Sequence, residues 1–191
     1  MKKIYLLIFI FFGITTNINA DTNRLVSGEI DAKITIIAYE SLTCSHCASF
    51  HKDIYPQLKK DFLDTGLAKI EFRHFPLDIA AFNAAKIAQC NYDQGLEILE
   101  SLYSNQQEWV RGSSIEEVND NLKNFIEKEG FKINFEKCIN NKNIEDFVLN
   151  DRVEGVKNFK VNATPTIIIN NKKFEKSLNY KNLKKILEKL I

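Results

Sequence analysis

A pair of cysteines lies at the point where a predicted strand gives way to a predicted helix. Residues 33–39 are rich in isoleucine and predict a buried strand. Thr43 is a candidate N-cap, and apolar residues at helical spacing predict a helix that runs to about Asp61. At such a junction Cys44 and Cys47 can close a redox disulfide, and the first sulfur faces the positive end of the helix dipole. The sequence therefore predicts thiol–disulfide chemistry.

The first twenty residues have the layout of a secretory signal peptide. Two lysines precede an apolar run over residues 4–14, and a small residue, Ala20, ends the segment. We expect cleavage after Ala20 and export to the periplasm. The apolar core is short for a membrane span, which favours a signal peptide. An uncleaved membrane anchor is the alternative, because Ile18 is large for its place before the cut.

The charge and cysteine content agree with an exported globular protein. The chain has 26 basic and 25 acidic residues, so no excess charge points to nucleic acid. Its four cysteines make an even set, and an oxidising compartment lets both pairs form disulfides.

The remaining pattern predicts an α/β fold. Residues 67–75 read as a second strand, which gives a strand–helix–strand unit with parallel pairing. The pattern is then helical up to residue 159, with a capping box at Ser114 and a helix end at Gly130. A strand over 166–170, a turn at Asn170-Asn171, a short strand over 173–175 and an amphipathic helix follow, the last with this apolar face: Leu183, Ile186, Leu187 and Leu190. The predicted division is a signal peptide (1–20), an N-terminal part (21–76), a helical insert (77–159) and a C-terminal part (160–191).

Several motifs together resemble those of the DsbA-type thioredoxin-fold oxidoreductases. They are Ser41-Leu42-Thr43-Cys44, Phe50-His51, the run from Phe72 to Leu77, Gln107 with Trp109, and the run from Val161 to Thr166. The resemblance implies a thioredoxin fold with an inserted all-helical subdomain, and no cofactor or metal besides the redox disulfide. It also implies that Pro165 is cis and faces the cysteine pair, and that Thr164 offers backbone groups to an extended peptide. An ordinary trans proline opening a strand is the alternative.

In this interpretation Cys44 is the attacking and attacked sulfur, and Cys47 is the buried resolving sulfur. His46, if charged or donating, stabilises the Cys44 thiolate, whereas Ser45 replaces a more usual proline and would soften the oxidising power. A purely structural disulfide is one alternative. A zinc site is another, with Cys44, Cys47 and His51 as ligands and only His74 left to complete the usual four. Otherwise His51 and His74 have no predicted role.

Two further features depart from the simplest pattern. Members of the family often carry an acid six residues before the first cysteine, but that position is Ala38 here. Glu40 lies on the same face of the strand and is a candidate proton acceptor for Cys47, although a solvated residue at the strand end is the favoured interpretation. Cys90 and Cys138 both fall in the helical insert, and we expect a structural disulfide between them that contributes about 4 kcal/mol.

The predicted function is that of a periplasmic thiol oxidase that introduces disulfides into exported proteins. The resemblance implies reduced or unfolded exported proteins as substrates and a quinone-linked membrane partner that reoxidises the cysteine pair. A disulfide isomerase or reductase is the alternative, disfavoured because only about a dozen residues are expected between the signal peptide and the first strand. A non-catalytic binder with a peptide groove is the third possibility.

Overall fold

The computed structural model describes residues 23–191, so the predicted signal peptide lies outside the described residues. Five strands form one sheet in the order β1-β3-β2-β4-β5. They are β1 (Leu25–Gly28), β2 (Ile34–Glu40), β3 (Ala68–His74), β4 (Thr166–Ile169) and β5 (Lys172–Lys173). Strands β2 and β3 are parallel, as predicted, and the other neighbouring pairs are antiparallel.

Strand β1 was not predicted, and the expectation that the first strand begins at residue 33 is wrong. Leu25 pairs with Phe72 of β3, and only 1% of Leu25 is exposed. Four residues at a sheet edge are too short to show a period in the sequence, so pairing with β3 decides their conformation.

The helix after the cysteine motif, which we call α1, is an uninterrupted run of four segments. They are α-helical Ser45–Ser49, π-helical Phe50–Ile54, α-helical Tyr55–Leu58 and π-helical Lys59–Leu63. The prediction that Thr43 caps α1 is wrong. The helix begins at Ser45, so Cys44 is the N-cap residue, and the Thr43 hydroxyl donates a hydrogen bond of 2.7 Å to Asp78.

The segment between β3 and β4 is helical, as the pattern indicated. Its helices are α2 (Ile79–Gln89), α3 (Tyr92–Ser104), α4 (Gln106–Trp109), α5 (Ile115–Lys128), α6 (Phe135–Ile139) and α7 (Lys142–Phe159). The side chain of Ser114 accepts the N–H of Glu117 and caps α5, and Gly130 has a positive φ of 79° just after that helix. The exact domain limits stay a prediction.

The C-terminal part follows the predicted order. Asn170 and Asn171 have positive φ angles of 44° and 63°, which suit the two-residue turn between β4 and β5. In the last helix, α8 (Tyr180–Leu187), Leu183 and Leu187 are fully buried. Leu190 was expected on that buried face, but the helix ends at Leu187 and Leu190 is exposed.

Apolar residues pack against both faces of the sheet. The cysteine motif follows the C-terminal end of β2. Ile36 and Ala38 belong to the main core, which also contains residues of α1 and of the helical segment. Ile37 and Tyr39 face the other side, where Gly155 of α7 approaches the Tyr39 ring. Within residues 23–191, no helix combines the length and the apolar character that a membrane crossing requires.

Candidate redox site

The two cysteines of the motif differ in accessibility. Both are free thiols, and Cys44 is partly exposed at the start of α1, whereas Cys47 is fully buried one turn later. The N–H groups of Cys47 and Ala48 both donate to the Cys44 carbonyl at 3.1 Å. A macromolecular substrate can therefore reach the sulfur of Cys44 and not that of Cys47.

The surroundings favour a negative charge on Cys44. Hydrogen bonding from the Cys47 thiol lowers the pKa of Cys44 to about 5 and outweighs the opposing effect of burial. The Thr164 side chain and the backbone N–H groups of Cys47 and His46 add to this lowering. Burial, hydrogen bonding with Cys44 and the charge of Glu40 all raise the pKa of Cys47. When both sulfurs are reduced, Cys44 is thus the thiolate and Cys47 the thiol.

Thr164 and Pro165 lie opposite the motif, immediately before β4. The peptide bond between them is cis, and the Cys44 sulfur lies 3.4 Å from the Thr164 carbonyl oxygen. Together with the exposed His46 and with Leu178, they line a cavity of about 470 Å³ beside Cys44. The structure therefore brings the sequence-predicted residues Cys44, His46, Thr164 and Pro165 to one place.

Glu40 is not the solvated residue that the favoured interpretation expected. Only 4% of it is exposed, and its Oε2 lies 2.8 Å from Nε2 of His51. Within the described residues, neither Oε1 of Glu40 nor Nδ1 of His51 has a hydrogen-bond partner. Tyr103 stacks on His51 with ring centroids 4.1 Å apart. The reason for the burial is that the end of β2 lies beneath α1 and α3, so Glu40 points into the protein.

Apart from the zinc alternative, the sequence predicted no role for His51, and the structure pairs it with Glu40. A usable signal was present, because residues 47 and 51 are four apart and lie on the same face of a helix. His74 lies elsewhere: its N–H donates to Asp151, and its ring contacts Gln89. Across residues 23–191, no three His, Cys, Asp or Glu side chains are placed to hold a metal ion.

Gln106, and not the neighbouring Gln107 singled out in the sequence, contacts the motif. Its Nε2 donates to the carbonyl oxygens of Leu42 at 2.7 Å and of Cys44 at 3.1 Å, whereas Gln107 is exposed. Trp109 is fully buried, and its indole donates to the carbonyl of Leu102. Gln106 and Trp109 are three residues apart, so helical spacing from the buried tryptophan was the available signal.

Cys90 and Cys138 are joined in a disulfide, with their Cα atoms 5.5 Å apart. Cys90 follows the last residue of α2, and Cys138 lies in α6. The disulfide thus fastens two helices of the inserted segment to each other.

A buried strand, a redox cysteine pair at a helix start and a cis-proline opposite it define a thioredoxin-fold redox protein. A model of the thioredoxin family, Thioredoxin_4, matches residues 20–189, and the chain therefore belongs to that family.

Relatives of known name indicate which kind of thioredoxin-fold protein this chain resembles. Disulfide bond formation protein D of Bacillus subtilis is 29% identical over 181 residues, which cover 86% of this chain and 75% of that protein. Putative protein-disulfide oxidoreductase RT0103 of Rickettsia typhi is 26% identical over 164 residues, which cover 83% of this chain and 59% of that protein.

Solved structures agree with these relatives. The crystal structure of Wolbachia pipientis α-DsbA1 superposes with a TM-score of 0.76 at 28% identity, over 88% of this chain and 90% of that one. Oxidised BdbD from Bacillus subtilis gives 0.72 at 26% identity, over 87% and 91%. The predicted DsbA-type family and thioredoxin fold are confirmed, and so is the predicted class of enzyme, a protein-disulfide oxidoreductase.

Proposed function

We propose that this chain is a periplasmic thiol oxidase that donates the Cys44–Cys47 disulfide to exported proteins. The observation that carries the proposal is the partly exposed Cys44 at the start of α1, where the Cys47 thiol and the backbone N–H groups of the first turn lower the pKa of Cys44 to about 5. A stabilised thiolate favours the reduced form of the enzyme, so the disulfide form is a strong oxidant.

The reaction follows from the accessibility of the two sulfurs. A substrate thiolate attacks Sγ of Cys44, the bond to Cys47 breaks, and a mixed disulfide forms between substrate and Cys44. Cys47 leaves as a thiolate and takes up one proton, since burial opposes a charge at its position. A second substrate thiolate then attacks the substrate sulfur of the mixed disulfide, which yields the substrate disulfide and the Cys44 thiolate.

We propose that Glu40 exchanges this proton with Cys47. The carboxyl group, protonated from solvent, gives its proton to the leaving Cys47 sulfur, and the resulting carboxylate accepts the proton of the Cys47 thiol when the disulfide re-forms. The charge of Glu40 acts on Cys47, and its Oε1 has no hydrogen-bond partner among the described residues. Glu40 thus takes the proton-exchanging role that, in similar proteins, we expect of an acid six residues before the first cysteine. His51, 2.8 Å away, holds the other carboxyl oxygen in place.

The cavity beside Cys44 is the proposed substrate site. An extended, reduced peptide can lie against Thr164 and Pro165 and present a cysteine to Cys44, as peptides do when they add to a sheet edge. We further propose that a quinone-linked membrane partner reoxidises the cysteine pair and that the signal peptide at residues 1–20 directs export. His46 is proposed to set the oxidising power.

Equilibration of the protein with glutathione buffers tests the direction of the reaction. A strong oxidase should have a midpoint well above the roughly −270 mV of thioredoxin and nearer the roughly −120 mV given for DsbA. It should also oxidise a reduced two-cysteine peptide faster than it reshuffles a scrambled protein. A midpoint near that of thioredoxin would instead support a reductase, and faster reshuffling would support an isomerase.

A further inference from the structure

A side chain from the helical segment forms hydrogen bonds with the backbone around the redox cysteine. Gln106, in α4, is 8% exposed, and its amide nitrogen lies 2.7 Å from the Leu42 carbonyl oxygen and 3.1 Å from that of Cys44. An amide nitrogen carries two hydrogens, so each carbonyl can receive one of them. The two carbonyls flank Thr43, the residue immediately before the attacking cysteine. The exchange reaction itself makes no use of Gln106.

Two other contacts fasten the same loop to the start of the helical segment. The N–H of Leu77 donates to the Ser41 hydroxyl at 3.3 Å, and the Thr43 hydroxyl donates to Asp78 at 2.7 Å. These contacts hold the part of the loop that precedes Cys44. Gln106 differs from them, because its amide reaches the peptide of Cys44 itself.

We propose that Gln106 is a positioning residue that holds the Cys44 peptide in the orientation the thiolate needs and thereby sets how strongly the disulfide oxidises its substrates. The inference rests on the proposed function, because it concerns the strength of the same oxidant.

The physical argument has two parts. The Cys44 carbonyl also accepts the N–H groups of Cys47 and Ala48, so fixing its peptide keeps the first turn of α1 under the sulfur. The N–H groups of His46 and Cys47 in that turn stabilise the thiolate. In addition, the amide hydrogens offset the partial negative charge of the Leu42 and Cys44 carbonyl oxygens, and the second of these belongs to the reacting residue itself. Loss of the amide leaves the charge of these carbonyl oxygens without its donor and frees the loop to turn, and both effects disfavour the charged sulfur.

The test compares Gln106→Leu with Gln107→Leu, which changes the exposed neighbour on the same helix. Thiolate absorbance gives the pKa of Cys44, and glutathione equilibration gives the redox equilibrium constant. For Gln106→Leu we expect the pKa to rise by about one unit and the equilibrium to shift about tenfold towards the disulfide, which corresponds to about 30 mV. Gln107→Leu should match the wild type in both measurements.

A folded Gln106→Leu protein with the wild-type pKa and potential would overturn the inference, because a residue that only supports the fold leaves both unchanged. An equal shift in Gln107→Leu would overturn it as well. If Gln106→Leu does not fold, Gln106→Asn decides by the same criteria, since its shorter amide cannot reach both carbonyls. The proposed function is judged separately, from the wild-type midpoint: a low midpoint would refute the oxidase while a shift in the Gln106 variant still supported the inference.

Discussion

Acidification should destabilise the reduced protein in part by protonating the Cys44 thiolate. The pKa of Cys44 is lowered to about 5 in the folded state, whereas an unfolded thiol titrates near 8.5. Above pH 8.5 the thiolate form contributes its full stabilisation, and this is lost as the pH falls through the folded-state value. pH 7 lies about two units above this folded-state pKa, and each unit corresponds to about 1.4 kcal/mol of stabilisation that remains at pH 7. Because Cys44 is partly exposed and solvent screens its charge, we expect the free energy of unfolding to fall by about 2 kcal/mol between pH 7 and pH 5.

Urea unfolding of two proteins isolates this effect. The wild type, reduced at the active site by a single equivalent of dithiothreitol, is compared with Cys44→Ser, whose hydroxyl does not titrate in this range. Groups common to both proteins cancel in the difference of their unfolding free energies. The range stays at or below pH 7 because the raised pKa of Cys47 acts in the opposite sense at alkaline pH. If that difference were the same at pH 7 and pH 5, the stabilised thiolate, and with it the argument for an oxidase, would be refuted.

Three other perturbations have defined outcomes. Replacing both Cys90 and Cys138 with alanine should lower the free energy of unfolding in urea by about 4 kcal/mol, because their disulfide closes a loop of 48 residues. The rate of peptide oxidation should stay unchanged, and slower oxidation would give this disulfide a redox role. Glu40→Gln should slow re-formation of the active-site disulfide by glutathione disulfide about tenfold in stopped flow, because loss of the base outweighs the lower pKa of the resolving thiol; a wild-type rate would exclude Glu40 as the proton acceptor. Gly155→Ala should cost about 1–3 kcal/mol in thermal unfolding, since the added Cβ would lie 2.8 Å from the Tyr39 ring; an unchanged midpoint would mean that α7 shifts without cost.

Interactions over long sequence distances account for what the sequence analysis missed. Glu40 is the last residue of β2. The local sequence pattern is the same whether the side chain at a strand end faces solvent or the protein interior. Its burial depends on α1 and α3 covering it, and His51 becomes its partner only in that arrangement. Helical spacing from Trp109 favours Gln106 for the buried face, but its contact with the redox loop depends on how α4 packs. Strand β1 forms because β3 offers it an edge to pair with.

The sequence by itself determined the redox pair, the order of strands and helices after the motif, and the proline before β4. These features depend on short-range chemistry: the two cysteines are three residues apart, apolar periodicity selects helix or strand, and Asn170-Asn171 suits a tight turn. Only the tertiary structure decided that Glu40 is buried beside His51 and that Gln106 binds the loop. The reason is physical, because burial and hydrogen bonding between distant residues depend on which faces pack together, and a local pattern leaves that choice open.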